Sequence, residues 1–282
     1  MASKIALITG ASSGIGLLAT IELAKAGYNV VATMRNLDRK PILEQAAREA
    51  GVLERIDMRR LNITEHETIA PVIADLIRDH QRIDVLLNNA GFAVGGFSED
   101  ITLDELRLQF ETNFFGHVAM TKAVIPYMRQ QRSGHIIMIS SIAGLVCTPG
   151  TGSYGSSKFA LEGWSEALRM ELHALGIKVV LVEPGSFKTD IWDRNVVVGK
   201  EALSEKSPNK ERSRRFVEFV SKKPKSNARV IAHLIVRIAN NPNPQLRYLI
   251  GADARVAYIL KRMLPWKIFE KLILNRMGID KS

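Results

Sequence analysis

Tyr154 and Lys158 stand four residues apart, and Tyr154 follows Ser141 by thirteen, in the stretch SSIAGLVCTPGTGSYGSSK. On a helix that spacing of four puts phenol and ammonium on one face. A cation held so close favours the phenolate, so the pair predicts a Tyr154 pKa well below its free value of about 10. Such a tyrosine can pass a proton near neutral pH. Ser141 ends an apolar run, where its hydroxyl can reach a carbonyl, whereas Ser140 points to the opposite face of the strand. Read alone, the pair also fits an amphipathic helix carrying a solvated lysine. Of the five tyrosines, only Tyr154 has a lysine at this spacing.

A second group of residues stands near the N-terminus. Lys4–Thr9 is a short apolar run of the buried-strand type, and Gly10-Ala-Ser12-Ser13-Gly14-Ile15-Gly16 follows at once. A helical pattern then runs from Ile15 to Ala26 and stops at Gly27. Strand, glycine turn and helix in that order aim free N–H groups and a helix N-terminus at an anion. The glycines let the backbone approach a pyrophosphate closely. The second strand, Asn29–Thr33, leads to Met34-Arg35-Asn36, with no acidic residue to take both ribose hydroxyls. Arg35 lies about 20 residues beyond the turn, where a guanidinium can pair a 2′-phosphate, so NADP(H) is expected over NAD(H).

Seven apolar runs, near residues 4–9, 29–33, 56–61, 83–87, 134–140, 177–182 and 246–250, must position these groups. Helical patterns separate the first six. The alternation predicts an α/β, doubly wound Rossmann fold: a seven-stranded parallel sheet with helices on both faces and a ligand at the strands' C-terminal ends. One domain over residues 1–282 is expected, with a substrate lid over 191–226 and a small C-terminal helical cap over 252–282.

These motifs, in this order, resemble the short-chain dehydrogenase/reductase family over roughly the first 190 residues. The family's Thr-Gly-x-x-x-Gly-x-Gly turn is Thr9–Gly16, and its Asn-Asn-Ala-Gly motif is Asn88-Asn89-Ala90-Gly91. Its helix asparagine falls on Asn113, its serine on Ser141, and its Tyr/Lys pair on Tyr154 and Lys158. Its Pro-Gly turn is Pro184-Gly185, and its cofactor-binding threonine is Thr189. Where the family often has an aspartate near the adenine, this chain has Asn62, whose amide can still bond adenine nitrogens. The resemblance implies that Ser141 polarises a carbonyl, Tyr154 exchanges its proton and Lys158 lowers the tyrosine pKa and bonds the nicotinamide ribose. It also implies that Asn113 holds a water that relays protons. It further implies a homodimer or homotetramer paired along the helices of Asn113 and Tyr154, with Phe114, Phe115, Leu161 and Trp164 available for contact.

The substrate is expected to be a lipophilic carbonyl or alcohol. Phe92, Ala93, Val94, Ile142, Leu145, Val146, Cys147, Phe187 and Trp192 are the apolar lining candidates, in the style of the hydroxysteroid and retinol dehydrogenase branch. Of these, Cys147 and Phe187 join Ser141 and Tyr154 as the expected substrate contacts. A dinucleotide-sensing regulatory protein on the same fold is the alternative; it predicts loss of a catalytic side chain, and none is lost.

Composition narrows the setting. The run into a strand by Lys4 leaves no room for a signal peptide, no apolar run reaches 18 residues, and the single Cys147 fits a reducing compartment. A cytoplasmic location is therefore expected. Cys147 has no zinc-like partners, and no metal is expected. The net charge of +10 is uneven: residues 191–282 hold 20 Lys/Arg against 8 Asp/Glu, and residues 1–190 hold 19 against 21. No nucleic-acid motif accompanies the basic third, so a solubilising surface, a peripheral membrane contact or an acidic substrate is expected instead. In Pro265–Met277, Trp266, Phe269, Leu272, Ile273 and Met277 share one predicted helix face, which would pack on the domain, cap a greasy tunnel or touch a bilayer.

Overall fold

Lys4–Thr9 is apolar without alternation, as a strand covered on both faces must be, and every residue of the resulting β1 (Ile5–Thr9) is buried. A computed structural model describes residues 3–188, 196–222 and 226–279; Thr189 and Trp192 lie outside them. After β1 come α1 (Gly14–Lys25), β2 (Asn29–Met34), α2 (Lys40–Glu49), β3 (Ile56–Arg60), α3 (His66–His80) and β4 (Val85–Asn88). A short β5 (Ala93–Gly95) precedes α4 (Leu103–Phe110), α5 (Gly116–Gln131), β6 (Gly134–Ile139), α6 (Gly152–Glu171) and β7 (Ile177–Pro184). The chain continues through β8 (Phe187–Lys188), β9 (Val196–Val198), α7 (Lys210–Lys222), β10 (Ser226–Asn227), α8 (Arg229–Asn240) and β11 (Arg247–Ile250). It ends in α9 (Ala252–Met263) and α10 (Trp266–Met277).

The seven long strands form one parallel sheet in the order β11-β7-β6-β4-β1-β2-β3. Side chains alternate across it. Ala6 and Ile8 pack with α1, α2 and α8 on one face, while Ile5 and Leu7 pack with α3, α5 and α6 on the other. This is the expected doubly wound Rossmann architecture. Strand order reverses between β1 and β4, which opens a crevice above their C-terminal ends, and such a switch point is where ligands of this architecture bind.

The C-terminal third departs in detail from its sequence reading. The described part of the expected lid is not bare loop: β9 pairs in parallel with β5, and α7 packs Phe216 against Met277 and Ile279 near the end of the chain. α10 forms over the expected residues, but its apolar side chains split. Phe269 and Met277 are buried, whereas Trp266 and Leu272 are 61% and 46% exposed. No helix among the described residues is long and apolar enough to cross a membrane.

Candidate active site

The two glycine-bearing turns lock together at the switch point. Gly10 sits at φ +69°, a left-handed conformation that disfavours a Cβ. Asn89 donates from Nδ2 to Thr9 O (2.9 Å) and Gly10 O (3.1 Å), while Thr9 Oγ1 accepts from the N–H groups of Asn89 (3.0 Å) and Ala90 (3.1 Å). Gly16 lies beneath this clasp rather than on the cleft wall. A Cβ there would stand 2.3 Å from Gly10 O and 2.5 Å from Asn89 Nδ2.

Above the clasp lies a cleft of 660 Å³ lined by Gly10, Ser12, Ser13, Gly14 and Ile15, by Asn89, Ala90 and Gly91, and by Pro184 and Gly185. The N–H groups of the first turn of α1 have no helical partners and are suited to an anion. Arg35 and Arg39 reach the cleft from beyond β2, and Leu61, Asn62, Ile63 and Thr64 border it beyond β3. The donors, the glycine turn and the two cations fit a dinucleotide. Asn62 is partly committed elsewhere: its Oδ1 accepts from Thr64, and its Nδ2 donates to Glu65.

Further along the cleft α6 brings in Tyr154 and Lys158, each only 3% exposed. Gly155 makes this approach possible, because a Cβ there would stand 2.1 Å from Cys147 Sγ. Ser141 caps the 3-10 turn Ile142–Gly144; its Oγ accepts from Ala143 N (3.1 Å) and shares a hydrogen bond with the Tyr154 hydroxyl. Lys158 Nζ lies 5.8 Å from the Tyr154 ring centroid and donates to Ile139 O (2.8 Å).

The expected low Tyr154 pKa is not what this arrangement gives. Burial pushes the phenol up to about 12, with the Ser141 hydrogen bond pulling weakly the other way. Lys158 is itself dragged down to about 8 by burial, with the Glu162 carboxylate opposing. In the fold both groups are desolvated, and that term dominates. His117, fully buried, is pulled down to about 3 by burial and by Lys158, so it stays neutral. Its Nε2 contacts Ala90 O at 2.7 Å and supports the Asn89–Gly91 loop from below.

Behind Lys158, Arg247 gathers three carboxylates: Glu162 at 2.9 Å, Glu183 at 3.0 Å and Glu166 at 2.7 Å. One guanidinium cannot neutralise two buried carboxylates, so Glu183 is pushed up to about 8, by burial first and by Glu162 second. A raised acid favours the folded state most below its unfolded pKa of about 4.3, and that contribution fades as pH climbs through about 8. Glu183→Gln removes the titration. Its melting temperature, measured by scanning fluorimetry at pH 5, 6.5 and 8, is therefore expected to rise relative to the native chain as pH rises. Each kcal/mol corresponds to about 2–4 °C in a chain of this size. Parallel curves would overturn the assignment.

Other sequence expectations fare differently. Asn113 lies fully buried in a π-helical turn, Glu111–Phe115. Its amide is committed to Phe92, accepting from the N–H (3.2 Å) and donating to the carbonyl (3.0 Å), so it positions that loop rather than presenting its side chain to the cleft. Phe92, Ile142, Val146 and Phe187 line the cleft, but Ala93, Val94, Leu145 and Cys147 do not. The Cys147 thiol turns back to Ala143 O (3.5 Å) and lies against α6 at Gly155. Leu161 is fully buried in the core, which removes it as a subunit contact. Residues the sequence reading missed include Arg39, legible as the fourth residue after Arg35, and Phe216 and Phe219; they wall the cleft together with Ile273 and Met277, two residues of the predicted α10 face.

The short chain dehydrogenase family model matches residues 4–196. The chain is 37% identical over 261 residues to a protein of Bacteroides thetaiotaomicron named 3-ketodihydrosphingosine reductase, covering 92% of this chain and 91% of that one. It is 42% identical over 192 residues to human retinol dehydrogenase 8, covering 67% of this chain and 60% of the other. A solved short-chain dehydrogenase from Streptomyces avermitilis superposes with a TM-score of 0.80 at 31% identity, covering 98% of this chain and 96% of that one. Other solved structures sharing the fold hold NAD in one case and NADP in others. The clasped glycine turns and the Ser141–Tyr154–Lys158 cluster thus sit in a chain that belongs to the short-chain dehydrogenase/reductase family.

Proposed function

We propose that this chain is an NADP(H)-dependent oxidoreductase that interconverts a carbonyl and an alcohol on a lipophilic substrate. One observation carries the reading. The cleft has a cationic end at Arg35 and Arg39, a proton-transfer cluster in its middle and an apolar end walled by Phe92, Phe187, Phe216, Phe219 and Met277. Bound NADPH would supply the hydride. The Ser141 hydroxyl then orients the substrate oxygen, with its own oxygen held by Ala143 N. The Tyr154 hydroxyl gives its proton to that oxygen as the alcohol forms, and solvent restores the proton. Lys158, held by Ile139 O, keeps positive charge beside the phenol through the step and stands ready for the cofactor ribose.

The names of two relatives, a reductase of a long-chain keto base and a retinol dehydrogenase, support a lipophilic substrate class. Arg35 and Arg39 together support the phosphorylated cofactor. Pairing of subunits along α5 and α6 is supported by the exposed Phe115 (47%), which packs edge-to-face on Phe114, itself edge-to-face with Trp164. The test is NADPH and NADH oxidation at 340 nm with long-chain keto bases, steroids, retinal and small ketones. Turnover of a long-chain or polycyclic carbonyl with NADPH is expected. Tight cofactor binding without turnover on any class would favour a dinucleotide sensor.

A further inference from the structure

We infer that the α9–α10 hairpin is a docking surface for an anionic lipid bilayer, through which the apolar end of the cleft faces the membrane. On α9, Val256, Ile259, Leu260 and Met263 recur at i, i+3, i+4 and i+7, the pattern of a core-facing stripe. They face outward instead, 53%, 52%, 37% and 77% exposed. The buried side of α9 is made by the small Ala254. On α10, Phe269 and Met277 turn inward, while Trp266, Ile268 and Leu272 turn out. Seven of the 18 exposed large apolar side chains among the described residues thus fall on these two helices, more than scattered surface exposure explains.

Charge decides what the patch fits. The same helices carry Arg255, Arg262, Lys267 and Lys271, besides Lys261, which donates to Leu145 O, and Arg276, which lines the cleft, against Asp253 and Glu270. Asp253 is turned onto Ser186, accepting from its N–H at 2.9 Å. A basic, apolar face of this kind complements anionic headgroups above an acyl layer. A tryptophan at its centre suits that boundary. In a twofold contact with a second copy, the same face would bring like charges together. Neither helix can cross a bilayer, so the hairpin would lie on its surface.

The hairpin is also a wall of the cleft. Ala257 on α9, and Ile273 and Met277 on α10, line the cleft while their neighbours face outward. Entry of a bilayer-dissolved substrate past this wall rests on the lipophilic reading above; the docking itself does not.

The full chain is floated with vesicles of phosphatidylcholine alone and with vesicles in which roughly a third is phosphatidylglycerol. Binding to the anionic vesicles is expected, with loss in high salt. The triple variant Met263→Asp, Ile268→Asp, Leu272→Asp is expected to bind at least about tenfold less, and Lys267→Glu with Lys271→Glu to show a similar loss. None of the five residues lines the cleft. Turnover of a small soluble carbonyl should therefore be unchanged in both variants and reports folding and chemistry separately from docking. Absence of binding to anionic vesicles, or undiminished binding by the triple variant, overturns the proposal. A dimer in light scattering that the triple variant splits, with vesicles ignored, overturns it in favour of a second copy.

Discussion

Tyr154→Phe is expected to lower kcat for carbonyl reduction by about 10²–10⁴-fold, the range that a positioned proton donor supplies. Cofactor affinity, measured by protein fluorescence quenching with NADPH, should change little. The phenol is buried beside Ser141 in the floor of the cleft, so removing its oxygen leaves shape and packing in place. Only the proton donor is lost. The hydroxyl's high pKa also predicts an asymmetry between directions. Reduction needs the protonated phenol, which a pKa of about 12 keeps fully populated at neutral pH. Oxidation of the alcohol needs a proton acceptor, so its kcat should climb with pH through the alkaline range. A profile for oxidation that is flat above pH 8, or a Phe variant with near-native kcat, would remove Tyr154 from the reaction. The companion Lys158→Met is expected to affect both kcat and cofactor affinity, because it also takes away the cation nearest the phenol.

How much of this was legible beforehand depends on what each feature rests on. The central sheet strands were readable because burial on both faces forces apolar runs such as Ile5–Ile8 and Val179–Val182. The short strands β5, β8, β9 and β10 were not: two or three residues carry no periodicity, and these strands exist only through their pairing. The identities of Ser141, Tyr154 and Lys158 could be read from spacing, which fixes which groups are neighbours. Their pKa values could not, since spacing says nothing of the water excluded around them. The direction of Cys147 was not legible for a similar reason: it lies in the irregular segment between the Ile142–Gly144 turn and α6, which leaves no hydrophobic pattern. The outward stripe on α9 has the spacing of a core-facing helix, because apolar spacing marks a face without saying what covers it.

Arg35→Asp is expected to raise the KM for NADPH by about 100-fold or more while leaving NADH use equal or improved. The reasoning is electrostatic. Arg35 follows the last residue of β2 and borders the cleft at the position where a 2′-phosphate would sit. Loss of a hydrogen-bonded charge pair costs about 2–5 kcal/mol, and a carboxylate in its place adds repulsion toward the phosphate. The same carboxylate can accept from both ribose hydroxyls of NADH, so the substitution adds a favourable contact there. Arg39, four residues on at the end of the Leu37–Arg39 turn, reaches the cleft as well and can retain part of the phosphate binding. The single Arg39→Ala should therefore have a smaller effect, and Arg35→Asp with Arg39→Ala the largest, with less than additive losses if both cations touch one phosphate. Steady-state KM and kcat for both cofactors across the three variants decide the matter. If Arg35→Asp weakens NADPH and NADH equally, Arg35 holds the pyrophosphate region or the fold rather than the 2′-phosphate. The preference for the phosphorylated cofactor would then have to come from Arg39 alone or be given up.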